Sequence, residues 1–176
     1  LLFDTGGFGL ITGQMIGRWG NFFNREAFGE YTNGLFAMRL PVDAVRSSDI
    51  TTKMWNHAET VKGVMYIQVH PTYLYESLWC LLGFVLLAIF AKKIRRYDGQ
   101  IFLIYICWYG AERAVVESLR TDSLVIGNVR VSQILAITCV VISIILQIAI
   151  GTKVKRMGVD YRMYKDTNES LFNKSE

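Results

Sequence analysis

The sequence predicts an all-α polytopic integral membrane protein, with three to four transmembrane segments and a small extramembrane head inserted among them. Hydrophobic residues make up 52% of the 176 residues, only modestly above a soluble domain of that size, but they are gathered into blocks. Val131 to Ile150 is a run of 20 residues without a charge, long enough to cross a hydrocarbon core of roughly 30 Å as a helix. Basic residues collect where the apolar runs stop: Lys92, Lys93, Arg95 and Arg96 after one run, and Lys153, Lys155 and Arg156 after another.

Residues 1–30 read as a partial membrane segment. Phe8 to Ile16 is apolar but too short to span, and Gly9, Gly13 and Gly17 recur at four-residue spacing, a small-residue stripe of the kind that lets membrane helices approach closely. The chain opens at Leu1 inside this apolar, Gly-rich stretch, with no charged region ahead of it. It is therefore expected to be a fragment whose N-terminal spans are missing, not a chain opened by a signal peptide. Residues 31–70 are mixed in composition and read as an extracytoplasmic head, with short strands expected at Leu35–Leu40 and Val64–Val69. Residues 71–152 hold three transmembrane helices. Leu74 to Ala91 is charged only at Glu76, a second helix starts near Ile101, and a short loop with Asp122 and Gly127 leads to the helix from Val131. Residues 153–176 read as a polar tail. Span directions alternate so that both basic clusters fall on one face, which the positive-inside rule makes cytoplasmic, together with the C-terminus. Because each cluster abuts a span, these charges are not a nucleic-acid surface.

Cys80, Cys107 and Cys139 all lie in apolar runs with no CxxC or Cys/His grouping. They read as small hydrophobes, with no zinc site and no disulfide framework.

Two constellations carry chemistry. The first runs from Gly17 to Gly29 and sets Arg18, Asn21, Asn24, Arg25 and Glu26 between apolar and glycine positions. A guanidinium offers a fixed fork of donors that matches phosphate oxygens and stays charged in a poor solvent. The plainer alternative is an interfacial helix end whose arginines reach toward headgroups. The second is Tyr109, Arg113, Glu117 and Arg120, spaced to share one stripe of a helix. Ionisable groups inside a membrane face a partner or a wet cavity, and Glu117 can pair with Arg113 one turn away. Two arginines to one glutamate leave a positive surplus that invites an anion; the alternative is a self-neutralised ion network. A weaker feature is the stretch His70 to Glu76, where Pro71 suits a helix start and Glu76 sits in its first turns.

These residues together resemble the bacterial phosphatidylglycerol–prolipoprotein diacylglyceryl transferase family. GRWGNFFNREAFGE is similar to its signature through Gly17, Arg18, Gly20, Asn21, Phe22, Asn24, Glu26 and Gly29, and both the HPTYLYE stretch and the Arg113–Glu117–Arg120 helix with Tyr109 fit the same family. The resemblance covers about residues 4 to 152. It implies an enzyme of the bacterial plasma (inner) membrane that moves the diacylglyceryl group of phosphatidylglycerol onto the lipobox cysteine thiol of a prolipoprotein and releases glycerol 1-phosphate. On that reading Arg113, Glu117, Arg120 and Glu26 are catalytic, and Arg18, Asn21, Gly29, Tyr109, His70 and Glu76 bind substrate. The partners are phosphatidylglycerol, the prolipoprotein and membrane lipid. No metal or other cofactor is implied. The family also uses a His-Gly-Gly segment and a tyrosine upstream of the signature, which this sequence does not contain, so the fragment alone is expected to be inactive. From the residues themselves a second class stays open: a transporter or lipid-binding membrane protein whose buried arginines hold an anion without chemistry.

Overall fold

The computed structural model describes residues 1–119, 125–126, 129–158 and 161–166. It is mostly helical. Helix α1 runs Leu2–Asn24, α3 Thr72–Lys93, α4 Gln100–Leu119 and α5 Val131–Met157, with a short α2 at Thr52–Asn56. Two of these, α3 and α5, are long and apolar enough to cross a membrane. Helix α4 has comparable length, but Glu112, Arg113 and Glu117 fall within it. The short apolar piece expected near Phe8 is part of a helix of 23 residues, because the glycines and polar residues that lower its hydropathy do not stop helix formation when a face packs. Helix α5 carries the first basic residues of the expected tail to Met157.

Helix α4 is the central element, packed against α1, α3 and α5. Small residues set the closest approaches. A Cβ on Gly83 of α3 would run into the Trp108 indole, and one on Gly110 of α4 would meet Val140 Cγ2 at 2.7 Å and Ala136 O at 3.0 Å. A Cβ on Gly9, Gly13 or Gly17 would meet nothing within 4 Å, so the stripe makes no close helix contact among the described residues. Polar clasps complete the seams, since in a membrane the hydrophobic effect contributes little between helices. Trp79 and Trp108 stack at 4.5 Å and each indole N–H donates to the other's carbonyl oxygen, at 3.2 and 3.1 Å. Between α4 and α5, Ser143 donates to Leu103 O and Gln133 to Ala114 O.

At one end of the bundle Asp4 of α1 caps α4. Its Oδ2 accepts from Gly99 N at 2.8 Å and its Oδ1 from Phe102 N at 3.2 Å, and Arg95 closes the group at 3.0 Å. Arg95 also pairs with Asp98. Burial and the neighbouring Asp4 carboxylate raise the pKa of the Tyr97 phenol, which donates to Gln147 O.

The residues between α1 and α3 are not helical throughout, and strands interrupt the otherwise all-α chain where the sequence leads one to expect them. Strands β1 (Met38–Pro41), β2 (Glu59–Val61) and β3 (Val64–Val69) form an antiparallel sheet in the order β1-β3-β2. Met38 pairs with Val69 and Pro41 with Tyr66. Strand β3 has the expected bounds, while β1 begins three residues later than expected. The sheet has its own apolar core of Phe28, Leu40, Met54, Ile67 and Val69. A two-stranded hairpin, β4 (Val125–Ile126) with β5 (Val129–Arg130), lies between α4 and α5. Arg120, Asp122 and Gly127 lie outside the described residues, as do residues 167–176.

Candidate active site

Helix α1 brings Arg18 to α3, where its Nε pairs with Glu76 Oε2, a carboxylate only 1% exposed. Ser77, the next residue of α3, fixes this contact. Its hydroxyl donates to Met15 O at 3.1 Å and accepts from the Trp19 indole at 3.2 Å, so α1 is held against α3 on both sides of Arg18. Two residues from separate sequence motifs thus form one buried ion pair. Burying such a pair is tolerable because each charge neutralises the other; removing one partner would leave an uncompensated charge.

Helix α4 supplies the second pair. Arg113 Nη2 donates to Glu117 Oε2 at 2.7 Å, one helical turn away, as the spacing predicts. The main-chain oxygen of Glu117 accepts from Arg130 Nη1 at 2.6 Å. Tyr109 stacks on Tyr105 with ring centroids 6.1 Å apart and lies within electrostatic range of both Arg18 and Arg113. These two arginines therefore serve one region, although they sit on different helices.

Glu112 is the residue the sequence reading overlooked. It is 3% exposed, and neither carboxylate oxygen has a hydrogen-bond partner among the described residues. Glu76, Arg18 and Arg113 are within electrostatic reach of it. The signal is present in the sequence, since a carboxylate inside an apolar helix needs a reason to be there, but Glu112 lies off the stripe defined by Tyr109, Arg113 and Glu117. It also changes the charge count. Arg18 and Arg113 face the three carboxyl groups of Glu76, Glu112 and Glu117, while Arg120, one of the two arginines in the surplus expected of the helix, lies outside the described residues.

Between α4 and α5 lies a cavity of about 440 Å³. Tyr109, Arg113 and Ser132 give it a polar part, and Ile106, Leu135 and Cys139 an apolar one. That combination suits a molecule with an anionic head and a hydrocarbon body.

The remaining candidates lie elsewhere. The Asn21 carbonyl accepts from Glu26 N where α1 ends, with Arg25 at φ 54° in the left-handed region. Glu26 accepts from Asn24 at 3.1 Å and faces Arg46 at 3.9 Å, which ties it to the segment before α2. His70 Nδ1 contacts the Tyr75 hydroxyl at 3.2 Å. Gly29 has a packing reason: a Cβ there would meet His70 Cβ at 2.8 Å and Leu119 O at 3.0 Å.

The prolipoprotein diacylglyceryl transferase family model matches residues 1–149. The chain belongs to that family. It is 42% identical over 138 residues to the phosphatidylglycerol–prolipoprotein diacylglyceryl transferase of Bacillus cereus (strain G9842), covering 77% of this chain and 46% of that protein. It is 44% identical over 136 residues to the protein of the same description from Listeria welshimeri, covering 77% and 44%. The chain spans about half the length of the curated relatives it matches. No solved structure matches it.

Proposed function

We propose that this chain takes part in transferring the diacylglyceryl group of phosphatidylglycerol to the lipobox cysteine thiol of a prolipoprotein, at the bacterial plasma membrane. The observation that carries this reading is the meeting of two buried arginine–carboxylate pairs, Arg18–Glu76 and Arg113–Glu117, around Tyr109 and Glu112. In the reaction the thiol sulfur attacks the glyceryl carbon that carries the phosphate ester. The S–C bond forms, the C–O bond breaks, and glycerol 1-phosphate leaves with the electron pair while the thiol proton passes to a base. The nucleophile belongs to the substrate, so the chain's work is binding and charge stabilisation. Guanidinium groups aimed at the ester phosphate neutralise the charge that gathers on the leaving oxygen. The cavity beside Arg113 accommodates the start of the acyl chains. Arg18, Arg113, Glu117 and Tyr109 are the residues we assign to the headgroup, with Glu76 positioning Arg18. Arg120, Asn21, Glu26, Gly29 and His70 are assigned by family pattern.

The decisive experiment reconstitutes the full-length protein in vesicles with labelled phosphatidylglycerol and a lipobox peptide. Transfer of label to the peptide thiol supports the reading. Binding of lipid without transfer would instead make the protein an anion binder.

The orientation follows from the two basic clusters: residues 31–70 face outward, with Lys92 to Gln100 and the C-terminus in the cytoplasm. Single cysteines at Ser47 and Asp98, with the native three replaced, should label oppositely with an impermeant maleimide on intact cells stripped of wall. Outside labelling at position 98 with protection at position 47 would invert the topology.

A further inference from the structure

We infer that the basic end of the bundle holds a second, non-catalytic lipid site: a cavity between α3, α4 and α5 that takes the phosphate of an anionic phospholipid. The cavity is about 450 Å³. Its apolar wall is Phe90 and Ile94 at the end of α3 and Ile148 on α5; its polar rim is Arg96, Gln100 and Lys155. Ile94 and Ile148 are 48% and 62% exposed, so this wall continues onto the outer apolar surfaces of the two helices able to span a membrane. A ligand seated here has hydrocarbon on one side and cations on the other, at the depth where spans end.

Three features point to an anionic lipid rather than to an internal ion pair. First, the carboxylates that border this end are already occupied. Asp4 takes Arg95 and two backbone N–H groups, and Asp98 takes Arg95 and the Tyr164 N–H at 2.7 Å. Second, neither Arg96 nor Lys155 has a carboxylate within ion-pair reach among the described residues. Third, Lys92 and Lys93 precede Arg96 closely in the chain and Arg156 follows Lys155, which adds positive charge at this end of the bundle. A basic pocket between membrane helices, with an apolar wall below it, recognises a phospholipid head by charge and fork geometry and its first acyl carbons by burial. The Gln100 amide N–H groups, whose carbonyl oxygen already accepts from Arg96 N, can add a neutral hydrogen bond to an ester or phosphate oxygen.

The test uses the full-length protein in nanodiscs and a phosphatidic acid probe with a photoactivatable acyl chain. Phosphatidic acid presents the phosphate without a glycerol head, which separates this site from the one proposed for transfer. Labelling should map to the peptides that hold Gln100 and Thr152. The double variant Arg96→Gln/Lys155→Gln should weaken it on the order of 10-fold to 30-fold, with the melting midpoint in phosphatidylcholine and the transfer rate unchanged. Four results would overturn the inference: no label at these peptides in the unmodified protein, equal label in the double variant, equal label from a phosphatidylcholine probe, or displacement by excess inorganic phosphate, which would mark a soluble-anion site. Loss of transfer activity with this labelling intact would strike the transferase reading alone.

Discussion

The two ends of the bundle use the same residue types for different ends. At the Asp4 end, Arg95 and the carboxylates of Asp4 and Asp98 close on each other. Both Asp4 oxygens take backbone N–H groups as well as Arg95, and Asp98 is shared between Arg95 and Tyr164. At the Glu76 end, Arg18 and Arg113 each have a carboxylate, yet Glu112 is buried with both oxygens unmatched among the described residues. A satisfied network holds helices together; one with unmatched capacity costs stability and is kept where it has something to bind or move. The difference separates a clip from a site without reference to any relative.

The largest expected effect tests the site. Arg18→Ala in the full-length protein should lower transfer by at least about 100-fold, the scale of losing a preorganised charge contact to a developing anion. It also removes the ion-pair partner of the buried Glu76 carboxylate, so the melting midpoint should fall as well. Adding Glu76→Gln should restore the melting midpoint but not the transfer. Recovery of both would make Arg18 a structural partner and erase the contrast between the ends.

Next is the clip. Asp4→Asn keeps the shape but weakens the capping and the pairing with Arg95, and should cost about 1–3 kcal/mol. Denaturation in detergent reads the loss, while transfer per folded molecule should hold. A fall in specific activity at unchanged stability would mean the clip is part of the site.

Glu112→Gln sharpens the comparison from the other side. It replaces a buried ionisable carboxyl that has no hydrogen-bond partner among the described residues by a neutral amide of the same shape, so stability should hold or rise by up to about 1 kcal/mol, and the phosphate headgroup should bind at least as tightly. A strongly destabilised variant would show that Glu112 is matched by a group outside the described residues. The smallest effect concerns the glycines. Gly13→Ala should raise stability by about 0.5–1 kcal/mol through helix propensity, since nothing among the described residues lies within 4 Å of its Cβ position. Gly83→Ala, against Trp108, should be plainly destabilising in the same assay.

Local features of the fold were legible in the sequence. The Val131 helix, strand β3 and the Arg113–Glu117 pair each depend on neighbours a few residues away, and a helix or strand period displays them. The Arg18–Glu76 pair was not legible, because it depends on α1 lying along α3, and no local period encodes which helices meet. The glycines show the same limit. Spacing revealed a stripe at Gly9, Gly13 and Gly17 but not that its neighbours are missing among the described residues, whereas the close approaches belong to Gly83 and Gly110, each opposite a bulky side chain. The sheet was half legible: β3 is continuous and apolar, while the start of β1 depends on pairing with it.

Gly29 leads to a mechanical consequence. Its N–H donates to His70 O, and the next residue, Glu30, donates to Leu119 O at the last described turn of α4. With Leu119 O 3.0 Å and His70 Cβ 2.8 Å from where a side chain would begin, the joint has no slack. The β-sheet segment and α4 therefore behave as a lever and its load. A force that tilts the sheet is delivered to the helical turn bearing Glu117, and Arg113 lies one turn further along the same rod.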